Sequence, residues 1–231
     1  MIMTELKQRV YEQNLALAKS GLVVLTWGNV SAIDREKGLV VIKPSGIPYD
    51  KLTVEDMVVV DFITRKAVNK KLRPSSDLMT HLYLYDAFPE INAVVHTHSP
   101  NATAWAQAGE GIPAYGTTHA DAFYGSVPCT RAMLKEEVEN NYEWNTGRVI
   151  AETFKSLDYK AIPAVLVKNH GPFTWGATPE EAVANAITLE EVAKMAIATR
   201  QIKADTPVID SLLLDKHYFR KHGKNATYGQ K

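Results

Sequence analysis

Two histidines one residue apart close the apolar stretch "INAVVHTHSP". If this stretch is a strand, His96 and His98 project from the same face, because side chains two residues apart share one side of a strand. Two imidazoles in that arrangement can chelate a divalent ion such as Zn²⁺. An isolated pair is more often just two polar side chains that bind water or backbone at a strand end. The interpretation therefore depends on a third ligand.

His170 is the candidate third ligand. It lies in "VKNHGPFTWG", a Gly-Pro loop directly after the apolar run "AVLV", and such loops often carry functional side chains. Three imidazoles with an open coordination position are typical of catalytic zinc sites, whereas structural zinc sites have four protein ligands that usually include cysteine. Since Cys129 is the only cysteine in the chain, a catalytic metal site is predicted and an intrachain disulfide is excluded.

Two carboxylates compete for a fourth position at the metal. Asp77 lies in "SSDLMTHL" and Asp121 lies in "TTHADAFYG", and spacing along the chain favours neither of them. His81 follows Asp77 by four residues, which favours a histidine on a helix surface that interacts with Asp77. His119 forms a separate His-x-Asp pair with Asp121.

Two stretches are suited to binding an anion. In "KPSG", Lys43 adds a positive charge and Gly46 lets backbone amides approach a phosphate closely. In "RPSSD", Ser75 and Ser76 stand at a predicted helix start, where unpaired N–H groups and the helix dipole favour negative charge. Each stretch is equally compatible with an ordinary turn or helix cap.

The elements that must position these side chains follow from apolar periodicity and capping residues. A first helix is predicted to end near Ser20, and Thr178, Pro179 and Glu181 form the start signal of a long helix. The other predicted elements are, in chain order, strands at 22–26, 38–43 and 57–63, a helix at 74–88 capped by Ser75 or Ser76, a strand at 91–98, a helix at 101–109 and a strand at 164–167. Short links between several strands favour hairpins, so a mixed sheet with helices on both faces is expected.

Length and composition narrow the classes of function. The 231 residues contain no linker or shift in composition, so one domain over residues 1–231 is predicted. With 26 basic and 26 acidic residues, the chain has no electrostatic preference for nucleic acid or an anionic membrane. No apolar run approaches the ~20 residues of a membrane span, and the amino terminus lacks a signal-peptide pattern. A cytoplasmic protein with small-molecule or protein partners is expected.

Several segments along the chain resemble the class II aldolase and adducin family: "LTWGNVSAID", "VIKPSG", "RPSSD", "HTHS", "GTTHAD", "FYG", "PCTR", "NHGPFTWG", "LLLDKHYFRKHG" and "YGQ". Their joint occurrence over nearly the whole chain is highly specific. The resemblance implies a three-layer α/β/α sandwich around a central mixed, largely antiparallel sheet. It also implies a homotetramer with active sites between neighbouring subunits and one Zn²⁺ per subunit.

The resemblance also assigns residues to the site. The implied metal ligands are His96, His98, His170 and Asp77. The implied contacts to a sugar phosphate are Gly28, Asn29, Lys43, Ser45, Gly46, Ser75 and Ser76. The implied acid/base pair is Asp121 and Tyr228, one of them from the neighbouring subunit, with the carboxy-terminal segment at about 215–231 contributing to the site. The implied supporting residues are Thr117, Glu143, His217 and Arg220.

The activity implied by the resemblance is conversion of L-ribulose 5-phosphate into D-xylulose 5-phosphate, an inversion at carbon 4, in pentose catabolism. Carbon 4 is not adjacent to the carbonyl group, so its proton is not acidic enough for direct removal. The family's route is retro-aldol cleavage between carbons 3 and 4, rotation of the aldehyde fragment and aldol re-addition, with zinc stabilising the enediolate. Asp121 and Tyr228 would transfer protons on opposite sides of carbon 4, with pKa values brought toward neutrality.

Two alternative functions are kept. The first is a class II aldolase that cleaves a phosphorylated ketose and releases the fragments; such aldolases typically have glutamate where this sequence has Asp77, which favours the epimerase. The second, more remote alternative is a non-catalytic binding module like the adducin head domains. Those domains lack an intact set of metal ligands, whereas every position is matched in this sequence.

Overall fold

Seven strands form one sheet within the described residues of the computed structural model, which are residues 2–68, 71–223 and 226–227. The strands are β1 (Asn29–Asp34), β2 (Leu39–Ile42), β3 (Val58–Asp61), β4 (Lys66–Ala67), β5 (Ala93–His96), β6 (Ala164–Val167) and β7 (Gly171–Gly176). Their order across the sheet is β4-β3-β2-β1-β5-β7-β6, and each neighbouring pair is antiparallel. The predicted largely antiparallel character is confirmed; an isolated bridge between Cys129 and Leu166 is parallel.

Helices cover both faces of this sheet. They are α1 (Ile2–Lys19), α2 (Leu78–Ala87), α3 (Pro100–Ala108), α4 (Thr117–Ala120), α5 (Lys135–Glu139), α6 (Tyr142–Thr153), α7 (Pro179–Ile202) and α8 (Ser211–Lys221). One apolar cluster joins α1 and the start of α7 to Val41, and another joins α2 and α6 to Val40. Because adjacent residues of a strand point to opposite faces, these two clusters lie on opposite sides of the sheet. The predicted three-layer α/β/α sandwich is confirmed.

The strand predicted at 22–26 is wrong. The backbone there is irregular, Leu25 adopts a φ of 55°, and the first strand begins only at Asn29. A residue with positive φ breaks the extended conformation that a strand requires. The stretch "LVVLT" has the β-branched composition typical of a strand, which explains the wrong prediction. Strand β1 was missed because it contains the polar residues Asn29 and Ser31, both of which are buried.

The other sequence-predicted elements are present; the strand predicted at 164–167 coincides with β6, and the others have ends shifted by one to a few residues. Thr178 caps α7 as predicted, since its hydroxyl accepts a hydrogen bond from the Glu181 amide at 3.2 Å. At α2, the residue before the helix is Asp77 rather than Ser75 or Ser76, and its carboxylate makes no capping hydrogen bond. Helix α2 therefore presents a carboxylate that is available for other partners.

None of the described helices combines the length and the apolar character needed to cross a bilayer.

Candidate active site

Three imidazoles meet at one end of the sheet. His96 is the last residue of β5, His98 lies two residues beyond it, and His170 lies in the turn between β6 and β7. One ring nitrogen from each histidine lies within 4.8 Å of those of the other two. The antiparallel pairing of β5 with β7, in which His96 is opposite Phe173, brings these distant segments of the chain together.

A glycine allows the His170 turn to approach the His-x-His segment closely. A Cβ atom added to Gly171 would lie 2.8 Å from the Thr97 carbonyl oxygen and 3.6 Å from ring carbons of both His96 and His98. The turn itself contains Asn169 at a φ of 62°, a conformation that asparagine tolerates better than most residues. The "NHGP" sequence thus serves the tight geometry of the turn, through Asn169 and Gly171, as well as supplying the imidazole of His170.

Hydrogen bonds orient two of the three rings for metal binding. His96 Nδ1 lies 2.9 Å from the Pro172 carbonyl oxygen; since a carbonyl can only accept, Nδ1 carries the proton and Nε2 holds the lone pair. That Nε2 lies 3.0 Å from His98 Nε2. His170 Nδ1 lies 3.3 Å from the Tyr142 hydroxyl, which leaves its Nε2 for the cluster. Nitrogen ligands aimed at a common point fit a divalent ion such as zinc, whose histidine ligands are usually oriented by such outer partners.

The electrostatics of the cluster favour neutral imidazoles, the form that binds metal. Burial, reinforced by the neighbouring His96 and His98, lowers the pKa of His170 to about 3. Burial also lowers the pKa of His98, with a further contribution from His96. Both rings are therefore uncharged near neutral pH, so no positive charge on either of them repels a cation.

Asp77 stands beside the three imidazoles but is not part of the cluster formed within the described residues. Its Oδ2 accepts hydrogen bonds from the Asn29 side-chain amide at 2.6 Å and from the Ser75 hydroxyl at 3.3 Å. Burial by itself would raise the pKa of Asp77, but the imidazoles of His96 and His81 and the Asn29 amide together lower it. Asp77 is thus an ionised carboxylate held next to the cluster.

The imidazoles and Asp77 line a cavity of about 380 Å³. All seven residues assigned to sugar-phosphate contacts by the resemblance line the same cavity, as does Glu143. Within the described residues the lining is Thr26, Trp27, Gly28, Asn29, Lys43, Pro44, Ser45, Gly46, Ser75, Ser76, Asp77, His96, His98, Tyr142, Glu143 and His170. The candidate metal ligands and the candidate anion contacts therefore line the same cavity.

Backbone hydrogen bonds join the two stretches that sequence alone left as separate anion candidates. The Ser45 amide donates to the Arg73 carbonyl at 3.0 Å, and the Ser75 amide donates to the Lys43 carbonyl at 3.0 Å. Gly28 belongs to the cavity lining together with these two stretches. Its φ is 77°, and a Cβ added to it would lie 3.0 Å from the His96 carbonyl oxygen. These two stretches and Gly28 form what we call the Lys43–serine wall, which thereby adjoins the strand that carries His96 of the imidazole cluster.

Tyr142 is a cavity residue that sequence reasoning missed. It begins α6 directly before Glu143, and the Glu143 carbonyl accepts a hydrogen bond from the Thr80 hydroxyl of α2 at 2.6 Å. The contact between α2 and α6 brings both side chains to the cavity. The only sequence signal for Tyr142 was that it directly precedes Glu143 in "NYEWNTG". Being adjacent in sequence does not reveal that both residues line one cavity.

His81 is not the surface histidine that its spacing predicted. It is fully buried, and its Nδ1 lies 2.7 Å from the Ser31 hydroxyl, which also contacts the Tyr85 hydroxyl at 2.7 Å. Burial lowers the pKa of His81 to about 3. The i, i+4 rule describes neighbours on a helix and says nothing about which face the sheet covers, and here the sheet covers His81.

Asp121 and the supporting residues Thr117, His217 and Arg220 form a separate cluster, which does not line the cavity within the described chain. Asp121 Oδ1 accepts from His217 Nδ1 at 2.9 Å, and its two oxygens accept from Arg220 at 3.0 and 2.9 Å. Lys221 lies 3.0 Å from Oδ2. Thr117 contributes its carbonyl to the Asp121 amide at 2.9 Å.

Polar neighbours set the pKa of Asp121 within the single chain. Burial alone would raise the pKa of Asp121, but hydrogen bonds from Arg220, Lys221 and His217 outweigh it and lower the pKa to about 2. The sequence-based expectation that burial and a bound metal bring this pKa toward neutrality concerns the assembled, metal-loaded site and stays a prediction. Its predicted partner Tyr228 lies outside the described residues.

Comparison with known proteins assigns the family of this chain. Residues 8–197 match the family model described as the class II aldolase and adducin N-terminal domain. The chain belongs to the class II aldolase and adducin family. This confirms the resemblance noted from the sequence motifs.

Class II aldolase and adducin family members with curated names are close in sequence. An L-ribulose-5-phosphate 4-epimerase UlaF of Salmonella paratyphi A (strain ATCC 9150 / SARB42) is 56% identical over 229 residues, covering 99% of this chain and 100% of that protein. The corresponding protein of Salmonella typhi gives the same values. These relatives are isomerases, which confirms the prediction of an enzyme over that of a binding module.

Solved structures of family members agree with the fold. An L-fuculose 1-phosphate aldolase superimposes with a TM-score of 0.79 at 25% identity and covers 94% of this chain and 95% of its own. Another, from Glaciozyma antarctica PI12, gives a TM-score of 0.76 at 23% identity over 97% of this chain and 84% of its own. This chain thus has the class II aldolase fold.

Proposed function

We propose that this enzyme interconverts L-ribulose 5-phosphate and D-xylulose 5-phosphate by inversion at carbon 4. One observation carries the proposal: the three-imidazole cluster and the Lys43–serine wall line a single cavity. Such a cavity can hold the two ends of a phosphorylated ketose at once. The 56% identity to curated L-ribulose-5-phosphate 4-epimerases over the full chain supports the choice of substrate.

The position of the inverted carbon dictates the reaction type. Because carbon 4 is not adjacent to the carbonyl group, its proton is not acidic enough for removal and return. Cleavage of the bond between carbons 3 and 4, rotation of the aldehyde fragment and re-formation of the bond on its other face gives the inversion. A divalent ion, which we propose to be one Zn²⁺ per subunit, supplies Lewis-acid stabilisation of the negative charge that develops on oxygen.

His96, His98 and His170 would hold that ion, and Asp77 would act as the associated carboxylate. The hydrogen bond from His96 Nδ1 to the Pro172 carbonyl fixes the tautomer with Nε2 free. The Asn29 amide holds Asp77 on the cavity side. Three imidazole donors with one nearby carboxylate would leave coordination positions open, as a catalytic site requires.

The Lys43–serine wall of the cavity would hold the phosphate. Lys43 is 1% exposed, and the acceptors of its ammonium group within the described residues are the Thr26 and Pro44 carbonyls at 3.4 and 3.5 Å. A buried cation whose acceptors are this distant is favourably paired with an anion. Gly28, Asn29, Ser45, Gly46, Ser75 and Ser76 would surround the same group. Firm phosphate contacts are needed so that the aldehyde fragment turns without escaping.

Asp121 and Tyr228 would exchange the proton of the carbon 4 hydroxyl on its two faces. The Asp121 cluster does not line the cavity of its own chain within the described residues, so we propose that a neighbouring copy supplies it in a homotetramer. The same neighbouring copy would also supply Thr117, His217, Arg220 and the segment at about 215–231. Contact with the neighbour would deepen the burial of Asp121, and burial is the factor that raises its pKa.

A second candidate function is an aldolase that releases the fragments. The observation in its favour is the structural similarity to L-fuculose 1-phosphate aldolase. Incubation with L-ribulose 5-phosphate in the presence of an aldehyde-trapping reagent separates the two. The epimerase forms D-xylulose 5-phosphate with little trapped aldehyde, whereas the aldolase accumulates trapped glycolaldehyde phosphate.

A chelation experiment tests the metal. After dialysis against a strong chelator, turnover should be lost and should return with added Zn²⁺. Elemental analysis of the untreated protein should give about one zinc per chain. Full turnover in metal-free protein would refute the proposed role of the imidazole cluster.

A further inference from the structure

Tyr49 lies behind the Lys43–serine wall of the cavity and is not among the described residues that line the cavity. It is 9% exposed and begins a short 3₁₀ turn after the "KPSG" stretch. Its hydroxyl lies 2.8 Å from the Gly28 carbonyl oxygen and 3.1 Å from the Trp27 carbonyl oxygen. Its ring centroid lies 4.6 Å from the Lys43 ammonium. One buried side chain therefore contacts two separate parts of the wall.

The hydroxyl of Tyr49 fixes a closely confined segment. Gly28 has a φ of 77°, which glycine adopts readily, in a space between Val23 and the His96 carbonyl that is too narrow for a Cβ atom. The hydroxyl proton is shared between two successive carbonyls and fixes both peptide planes. It also occupies carbonyl oxygens whose negative ends would repel an anion if they turned into the cavity.

The ring of Tyr49 acts on Lys43 in a different way. The ring face attracts the ammonium electrostatically but accepts no strong hydrogen bond from it. A carboxylate in the same place would neutralise the charge and compete with a bound phosphate. The long distances from the ammonium to the Thr26 and Pro44 carbonyls leave its N–H groups available. The ring thus holds the cation in place and leaves it able to bind an anion.

We infer that Tyr49 is a positioning residue for the phosphate group of the substrate. It orients the Gly28 carbonyl and the Lys43 ammonium without touching the reacting carbons. The inference rests on the proposed function for the identity of the substrate but predicts phosphate binding by itself. Its effect belongs to binding and not to the chemical step.

Two substitutions separate the contributions of hydroxyl and ring. Tyr49→Phe removes the hydroxyl and keeps the ring, and Tyr49→Leu removes both. Tyr159→Phe is the matched control, because its hydroxyl makes a 3.4 Å contact to exposed Glu90 away from the cavity. Each metal-loaded, full-length protein is titrated with inorganic phosphate by calorimetry and assayed with phosphate as a competitive inhibitor.

We expect Tyr49→Phe to weaken phosphate binding about three- to tenfold, as loss of one buried hydrogen bond does. Tyr49→Leu should weaken it about tenfold or more, because the cation–π contact is lost as well. KM should rise in parallel, while kcat stays within about twofold and metal content and the control are unchanged.

Phosphate dissociation constants of both variants within about twofold of the wild-type value would overturn the inference. A fall in kcat with unchanged phosphate affinity would overturn it as well. If Tyr49→Leu does not fold, Tyr49→Phe decides alone. If the wild type binds phosphate but does not turn over L-ribulose 5-phosphate, the proposed substrate fails while the calorimetric comparison still judges Tyr49.

Discussion

Mixing two inactive variants tests whether the site is completed by a neighbouring chain. His96→Asn removes a candidate metal ligand, and Asp121→Asn removes the candidate proton-transfer group. Within the described residues His96 lines the cavity and Asp121 does not, because Arg220, Lys221 and His217 hold Asp121 in another cluster. If the site combines His96 of one chain with Asp121 of the next, the two defects lie in different halves of it.

The expected recovery follows from the symmetry of such an assembly. In a randomly mixed ring, a site is intact when one chain retains His96 and its neighbour retains Asp121. Each condition holds for half the chains, so about a quarter of wild-type activity should return. If both residues served the same site within one chain, every chain would carry one defect and no activity would return.

The assay uses co-expression of differently tagged variants, isolation of doubly tagged oligomers and measurement of D-xylulose 5-phosphate formation. Each variant alone should be essentially inactive. Co-expressed His96→Asn and His98→Asn form the matched control, which should stay inactive because both imidazoles belong to one cluster in one chain. Absence of recovery in the mixed His96→Asn and Asp121→Asn oligomer would refute completion of the site by a neighbour.

Three further predictions concern single positions. Tyr228→Phe should leave metal content normal and lower kcat at least about 100-fold, as loss of a proton-transfer group does; near-normal turnover would exclude Tyr228 from the mechanism. Gly28→Ala should destabilise the fold by about 1–2 kcal/mol in urea titrations and weaken metal binding, because its φ is 77° and its Cβ would lie 3.0 Å from the His96 carbonyl oxygen. Gly38→Ala, at a φ of 63° with open space around it, is the control that carries the backbone cost without the contact, and should retain metal. Burial lowers the pKa of His119 to about 4, whereas the pKa of histidine in the unfolded chain is about 6.5. The contribution of His119 to the free energy of unfolding is therefore fully present above pH 6.5 and is lost as the pH falls toward 4. Stability measured in chelator should therefore fall more steeply between pH 6.5 and 4 in wild type than in His119→Gln, by about 1.4 kcal/mol per pH unit, and equal slopes would contradict the assignment.

Local spacing allowed much of the imidazole cluster to be predicted. His96 and His98 were expected to face one point because strand geometry alternates with a period of two residues. The turn after "AVLV" was expected to carry His170, and the structure brings the three rings together. The start of α7 was also predictable, because capping depends on residues within one turn of the helix.

Long-range pairing decided the rest. Spacing could not choose between Asp77 and Asp121; pairing of β1 with β5 sets Asn29 opposite His96, and the Asn29 amide then holds Asp77 beside the cluster. Apolar composition misplaced the first strand, because burial of polar Ser31 depends on partners 50 and 54 residues away, His81 and Tyr85.

The chain by itself determined which residue types are available and which faces they share, since those properties repeat over a few residues. Only the tertiary structure decided that "KPSG" and "RPSSD" form one wall, through the paired backbone bonds of Ser45 and Ser75. It also decided that Tyr49 lies behind that wall. Contacts between distant segments depend on the free energy of packing the whole sheet and its helices, which no local pattern contains.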